Sequence, residues 1–307
     1  MNGVFPNYPE KKYFSESKKP FSEQHISRSE LLRFAEDPEG FQDSPNFESS
    51  AKVLGSAFDN IVLRGHEIGK EIVLGEQMSK DVSEAIEHLK KNKRLVYSIN
   101  HDNFKTKAAR VERDHALENN LIPILSKNVS AATKYITLQE QGILMIDKES
   151  LGALEKMKKR WDNHPSIQMI MHGAETQVAV YGEHLGVKCR TMLDIVPSKD
   201  GPYGDALADL KTTNTTNKFG FRSKCYSFGY HVQAALSLSL YNQQTGEKRN
   251  RWLVPAVKNE PGYRAVVFEF EDLIDHGMER LNDIIISYRE CLKNGFKEPT
   301  AKNFILL

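Results

Sequence analysis

Two apolar runs joined by a turn constrain this chain more than any other stretch. From Val187 it reads VKCRTMLDIVPSKDGPYGDALADLKTT, in which KCRTMLDIVP and GDALADLKTT flank the turn-rich KDGPYG. Runs of this kind, punctuated by Pro and Gly, predict a β-hairpin or two neighbouring strands. Asp194, Asp209 and Lys211 lie inside them or at their ends. Asp209 and Lys211 are two apart and so emerge on one face of a strand, which leaves the carbonyl of Leu210 available to a cation. Asp194 adds a second carboxylate from the adjacent strand. Two carboxylates, a backbone oxygen and water suit Mg²⁺ or Mn²⁺ rather than Zn²⁺. The Lys211 ammonium beside such an ion can orient a water and offset negative charge on a phosphate. The same residues also read as a strand-ending Asp194 and a plain Asp209–Lys211 ion pair. Carboxylates in half-buried strands cost free energy unless something compensates them, and that favours the metal site.

The chain has 307 residues and a formal charge of +1. It is long enough for a substantial core, and any nucleic-acid contact must come from local basic patches rather than from global charge. Cys189, Cys225 and Cys291 form no C-x-x-C pair, so neither a zinc knuckle nor a disulfide framework is indicated. The N-terminus lacks the apolar core of a secretory signal, and no run approaches the roughly 20 apolar residues of a membrane span. The expectation is a soluble protein of a reducing cytoplasm, with no membrane partner.

Residues 1–20 read as an extended arm and 21–307 as one domain, with a helical insertion over about 67–165. Ser27-Arg28-Ser29-Glu30 has capping-box spacing, so a helix starts there and ends before Pro38. Residues 53–63 carry Leu54, Phe58, Ile61 and Val62 at helical spacing, with Asp59 beside that stripe. Within the insertion, helices are predicted over 79–94, 110–127 and 149–162. Lys90, Lys91, Lys93 and Arg94, with Lys156, Lys158, Lys159 and Arg160, are basic clusters that read either as a DNA track or as solvated helix ends. Residues 175–181 alternate as a first strand, and the sheet continues through 187–196 and 205–213. Asn217 caps a predicted helix over 218–241, which puts Tyr226, Tyr230 and Gln233 on one face, with Arg222 and Lys224 nearby. Strands at 251–257 and 264–270 and a helix over 271–293 close the chain.

The order Glu175, Lys188-x-Arg190-x-x-x-Asp194, Asp209-Leu210-Lys211-Thr212, Tyr230-His231-x-Gln233-Ala234-Ala235 resembles the RecE-type exodeoxyribonuclease VIII and phage exonuclease family of the PD-(D/E)xK nuclease superfamily. His25-Ile26-Ser27-x-Ser29-x-Leu31, Asp37-Pro38-x-x-Phe41 and Leu54-Gly55-Ser56-Ala57-Phe58-Asp59 fit as well. The resemblance implies an α/β fold whose mixed central sheet is flanked by helices, with the insertion placed before the catalytic strands. It implies a Mg²⁺-dependent 5′-to-3′ exodeoxyribonuclease that digests one strand of linear duplex DNA for recombination or repair. Asp194, Asp209 and the Leu210 carbonyl would hold the metal, Lys211 would activate water, and Glu175 and Gln233 would assist. Asp59 stands where the family has the histidine of a G-x-x-x-H pattern and would supply a carboxylate ligand instead. Ser27, Arg28, Ser29, Arg222, Lys224 and Tyr230 would touch DNA. The family's Gln-x-x-x-Tyr pattern is not kept, because Ser237 stands in its last position. A homo-oligomeric ring, trimer or tetramer, on double-stranded DNA ends and a single-strand annealing partner are also implied. The alternatives are an endonuclease on the same core or a relative that binds DNA ends without cutting.

Overall fold

The computed structural model describes residues 2–16, 23–41, 50–75 and 79–296. The chain divides into two compact units, Met1–Arg64 with Glu155–Leu307, and Gly65–Leu154. The predicted arm is not simply extended. Its strand β1 (Gly3–Phe5) pairs antiparallel with Ala179–Tyr181 and helix α1 (Glu10–Ser15) follows, while residues 17–20 lie outside the described residues. Val4 packs on the main core and Phe5 against Tyr181, which is why this segment docks. Strand β2 (Ile26–Ser27) leads into helix α2 (Arg28–Glu36) through the anticipated capping box. The Glu30 N–H donates to the Ser27 hydroxyl at 3.4 Å, and the Ser27 N–H donates to the Glu30 carboxylate at 2.7 Å. Helix α3 (Ser50–Arg64) buries Leu54, Ala57, Phe58 and Ile61.

The second unit is not purely helical. It runs β3 (Ile72–Leu74), α4 (Lys80–Asn92, capped by Ser79), β4 (Val96–Ile99), α5 (Lys107–Glu118), β5 (Ile122–Leu125), α6 (Ser126–Glu140) and β6 (Leu144–Ile146). β3 pairs parallel with β6, and β4 with β5. The helix expected over 110–127 stops at Glu118, because Asn120 turns left-handed at φ 56° and the Ile-Pro-Ile-Leu that follows pairs as a strand. Helices α7 (Lys148–Asp162) and α8 (Pro165–Met171) return the chain to the first unit.

There the main sheet forms from β7 (Glu175–His184), β8 (Val187–Val196), β9 (Ala206–Ala208) and β10 (Lys211–Thr213). Helices α9 (Lys218–Ser227) and α10 (Tyr230–Thr245), strands β11 (Arg251–Lys258) and β12 (Ala265–Phe270), and helix α11 (Leu273–Asn294) complete it. β7, β8 and β9 are antiparallel neighbours, β9 and β10 both run parallel to β11, and β12 is antiparallel to β11. The sheet is therefore mixed, with helices against it, as expected for an α/β fold. α10 is apolar on every side (Val232, Ala234, Ala235, Leu236, Leu238, Leu240) and forms the centre of the core. α11 crosses it at Gly277, where an added Cβ would lie 2.1 Å from the His231 carbonyl oxygen.

The helix expected over 218–241 is two helices. Gly229 sits between them at φ 65°, a left-handed conformation that glycine adopts without steric cost. The Leu32 side chain occupies the space a Cβ would need. Tyr226 is therefore not on the face of Tyr230 and Gln233, and its hydroxyl pairs with His276 Nδ1 at 2.8 Å.

Candidate active site

The β9–β10 strand breaks at the predicted site. Ala208 pairs with Leu253 and Lys211 with Ala256, so the register of β11 runs unshifted across the gap. Continued through it, the register sets Leu210 opposite Pro255, which has no N–H to give. The Asp209 N–H still donates to the Leu253 carbonyl at 3.0 Å, whereas the Leu210 N–H turns to the Asp194 carboxylate, also at 3.0 Å. The proline on β11 thus interrupts the ladder between β9 and β10, where the Leu210 N–H serves Asp194.

Asp194 comes from β8, half-buried, and takes the Leu210 N–H beside Asp209, which is only 2% exposed. Burial first, and then the nearby Asp209 and Asp59 charges, push the Asp194 carboxyl well above the usual carboxylate range, although Lys211 opposes this. Lys211 is ion-paired with Asp209. Burial works against the Lys211 charge, but Asp209 and Asp194 outweigh it and raise its pKa, so the ammonium stays protonated. The Lys211 ammonium also lies over the Tyr230 ring, 5.0 Å from the centroid. The predicted trio is therefore assembled, with Tyr230 beside it.

Gln233 reaches the site from α10 and donates from Nε2 to Asp209 Oδ1 at 2.7 Å. Its Oε1 accepts from Arg28 at 2.9 Å, and the other arm of Arg28 donates to the Phe228 carbonyl, set free by the helix break, at 3.0 Å. Arg28 fixes which end of the Gln233 amide faces the acids. Arg28 is itself placed by α2, whose Glu30 pairs with Arg190 of β8 at 3.0 Å inside the core.

Asp59 belongs to the site by proximity, since its charge bears on Asp194. Gly55, one turn earlier on the same helix face, makes this approach possible: a Cβ there would meet Thr212 Oγ1 of β10 at 2.9 Å. Glu175 is exposed at the start of β7, opposite Val196. Across from Asp194 stands Gln177, which the sequence reading passed over. Its Nε2 donates to Asp194 Oδ1 at 3.3 Å, its Oε1 accepts from Arg64 at 2.8 Å, and its backbone is left-handed at φ 51°. A non-glycine residue held in that conformation is uncommon and was the one structural signal available for it.

The predicted DNA contacts are scattered. Ser27 is used in the capping box and Ser29 is exposed on the first turn of α2. Arg222 is ion-paired with Asp272 at 2.5 Å and hydrogen-bonds the Tyr226 hydroxyl at 3.2 Å. Lys224 lies over the Phe228 ring, 5.8 Å from its centroid. In the basic clusters, Lys91 pairs with Glu87, Lys158 with Asp162, and Lys156 lies over Tyr263, as solvated helix ends do. The Arg94 side chain lies outside the described residues.

Among the described residues no group of three or more His, Cys, Asp and Glu is arranged to hold a metal. What the structure offers is an oxygen set: the neighbouring carboxyls of Asp194 and Asp209, the first of which accepts from the backbone of Leu210. The forced proximity of Asp194 and Asp209 is relieved by a cation, and this donor set fits a hard divalent ion completed by water rather than a closed nitrogen–sulfur cage. Among the described residues no helix is long and apolar enough to cross a membrane.

No curated protein matches the chain significantly in sequence. Among solved structures it is similar to a protein from Eubacterium rectale proposed to be an exonuclease, with a TM-score of 0.53 and 15% identity over 98% of this chain and 95% of that one. A second solved structure, SSO0001, is 12% identical over 67% of this chain and 84% of its own, and at a TM-score of 0.27 it carries no argument. Residues 46–302 match the family described as a PDDEXK-like domain of unknown function (DUF3799). The chain belongs to that family, and its mixed central sheet flanked by helices is a PDDEXK-like fold.

Proposed function

We propose that the protein is a Mg²⁺-dependent deoxyribonuclease that digests one strand of linear double-stranded DNA from an end, in the 5′-to-3′ direction. The observation that carries this reading is the Asp209–Lys211 ion pair with Asp194 held beside it by the Leu210 N–H. A divalent cation held by Asp194, Asp209 and the Leu210 carbonyl, with Asp59 as a further ligand, supplies Lewis-acid charge beside the scissile phosphate. Lys211, kept charged by its acid neighbours, is a hydrogen-bond donor: it orients the attacking water and offsets charge on the phosphate oxygens. Gln233 holds Asp209 in place, and Arg28 holds Gln233. Gln177 does the same for Asp194. Glu175 is exposed opposite Val196, so a direct part for it is the weakest element of the scheme.

We also propose that copies close into a trimeric or tetrameric ring around the duplex and act with a single-strand annealing protein. A formal charge of only +1 favours enclosure over electrostatic grip as the means of staying bound. Digestion of 5′-labelled and 3′-labelled linear duplex, alongside a covalently closed circle, tests the activity. Early loss of the 5′ label with the circle spared supports the reading, and nicking of the circle replaces it with an endonuclease. Light scattering that gives a monomer mass for a processive enzyme removes the ring.

A further inference from the structure

Next to Tyr230 of the site stands an exposed aromatic ring. Phe228 ends α9 and is 52% exposed, a costly position for a residue of its size. It is nevertheless held firmly. Arg28 grips its carbonyl at 3.0 Å, and Gly229 next to it is fixed at φ 65° against Leu32. Its ring contacts that of Tyr230 at 5.7 Å between centroids, and Tyr230 in turn covers the Lys211 ammonium at 5.0 Å. The Lys224 ammonium lies 5.8 Å from the Phe228 centroid. Phe228 is therefore linked to Lys211 through the Tyr230 ring and has the Lys224 ammonium beside it.

We propose that Phe228 is a stacking platform for an unpaired nucleobase on the DNA strand that enters the Asp209–Lys211 site. An exposed ring with the Lys224 ammonium beside it matches an unstacked base whose neighbouring phosphate needs a cation, and stacking on an aromatic face tolerates any base. The substrate class is then a DNA end that is frayed or carries a single-stranded tail. Inside an intact duplex every base face is already stacked on its neighbours and offers nothing to the ring. The inference rests on the nuclease reading, because that reading makes the neighbouring site one for phosphodiesters.

The test is binding of a fluorescein-labelled duplex with a single-stranded tail, measured by anisotropy in EDTA so that nothing is cut. A second probe carries the same tail built of abasic nucleotides. Phe228→Ala should weaken binding of the normal tail about tenfold and leave the abasic tail unchanged, while Phe228→Trp should restore the normal affinity. Phe219→Ala is the control, since Phe219 is 79% exposed on the first turn of α9 and should change neither probe. Equal losses on both tails, or the same loss in the Phe219 variant, would overturn the platform. If the wild-type protein cuts DNA and Phe228→Ala binds as it does, the platform alone fails. A wild-type protein that binds no DNA overturns the nuclease reading and the platform together.

Discussion

Gly277 ties the packing of two helices to the chemistry of the site, and replacing it by alanine gives a prediction with a defined size. The new Cβ would start 2.1 Å from the His231 carbonyl oxygen and 2.5 Å from its carbon. These are backbone atoms of α10 and cannot rotate aside. Recovering even a tight contact requires the helices to separate by about 1 Å. Overpacking of this kind costs about 1–3 kcal/mol, and a backbone obstacle places it near 3. That is a fall in Tm of roughly 6–12 °C for a unit of this size. Gln233 lies two residues beyond His231 on the same helix and bonds Asp209 at 2.7 Å, so the displacement reaches the acids. A misplacement of about 1 Å costs up to roughly 100-fold in rate. The assay is thermal melting followed by circular dichroism, paired with digestion of linear duplex at a temperature where the variant is fully folded. Gly152→Ala provides the contrast, because nothing lies within 4 Å of the added methyl inside α7 and it should gain about 0.5–1 kcal/mol. A Gly277→Ala protein that melts with the wild type would refute the packing argument, and one that melts early yet cuts at full rate would refute the link to Gln233.

Four further outcomes follow from the site. In metal-free protein the raised Asp194 pKa means the folded state keeps a proton that the unfolded state has released, so this stabilisation is full below the ordinary carboxylate range and is lost as pH rises through the raised value; Asp194→Asn should therefore be more stable than wild type at pH 7, by about 0.5–2 kcal/mol, converge with it in acid, and cut nothing, and a less stable variant at pH 7 contradicts the sign. Lys211→Ala and Asp209→Ala should each abolish digestion while retaining DNA binding, and near-normal cutting by either folded variant ends the proposed chemistry. Asp59→Ala should raise the Mg²⁺ concentration needed for half-maximal cleavage, whereas Asp59→His should keep activity and shift preference toward Mn²⁺; unchanged metal titrations would remove Asp59 from the site. Burial pushes the thiols of Cys189 and Cys225 up to about 12, while Cys291 is only partly covered, so iodoacetamide should label native protein at Cys291 first, as peptide mass mapping would show.

Local signals in the sequence were sufficient wherever the partners are close along the chain. The Ser27 capping box joins residues three apart, and Asp209 and Lys211 are separated by one residue, so spacing alone placed them. Asp194 was legible because a carboxylate in an apolar strand demands a partner. The misses share a different cause. Arg28 meets Gln233 across 205 positions of sequence, and no local pattern encodes that. The break at Gly229 depends on Leu32 filling the space beside it, so an apolar period running through Phe221, Cys225, Phe228 and Val232 looked like one helix. Ile122–Leu125 has strand composition, but its partner Val96–Ile99 comes two elements earlier, across α5. Gln177 was invisible because its left-handed backbone is imposed by its neighbours.

Strand β11 also sets the time at which the proposed site can assemble. It lies between β9–β10 and β12, yet it is made after all of the acids and after Gln233. Until Arg251–Lys258 leaves the ribosome, β10 with Lys211 lacks its pairing strand and β9 has only β8. A sheet so dominated by distant pairings forms late and as a unit. Nascent chains and products truncated before Arg251 therefore carry every acidic residue of the site but lack the strand that β9 and β10 share, and the hydrolytic activity proposed here should require it.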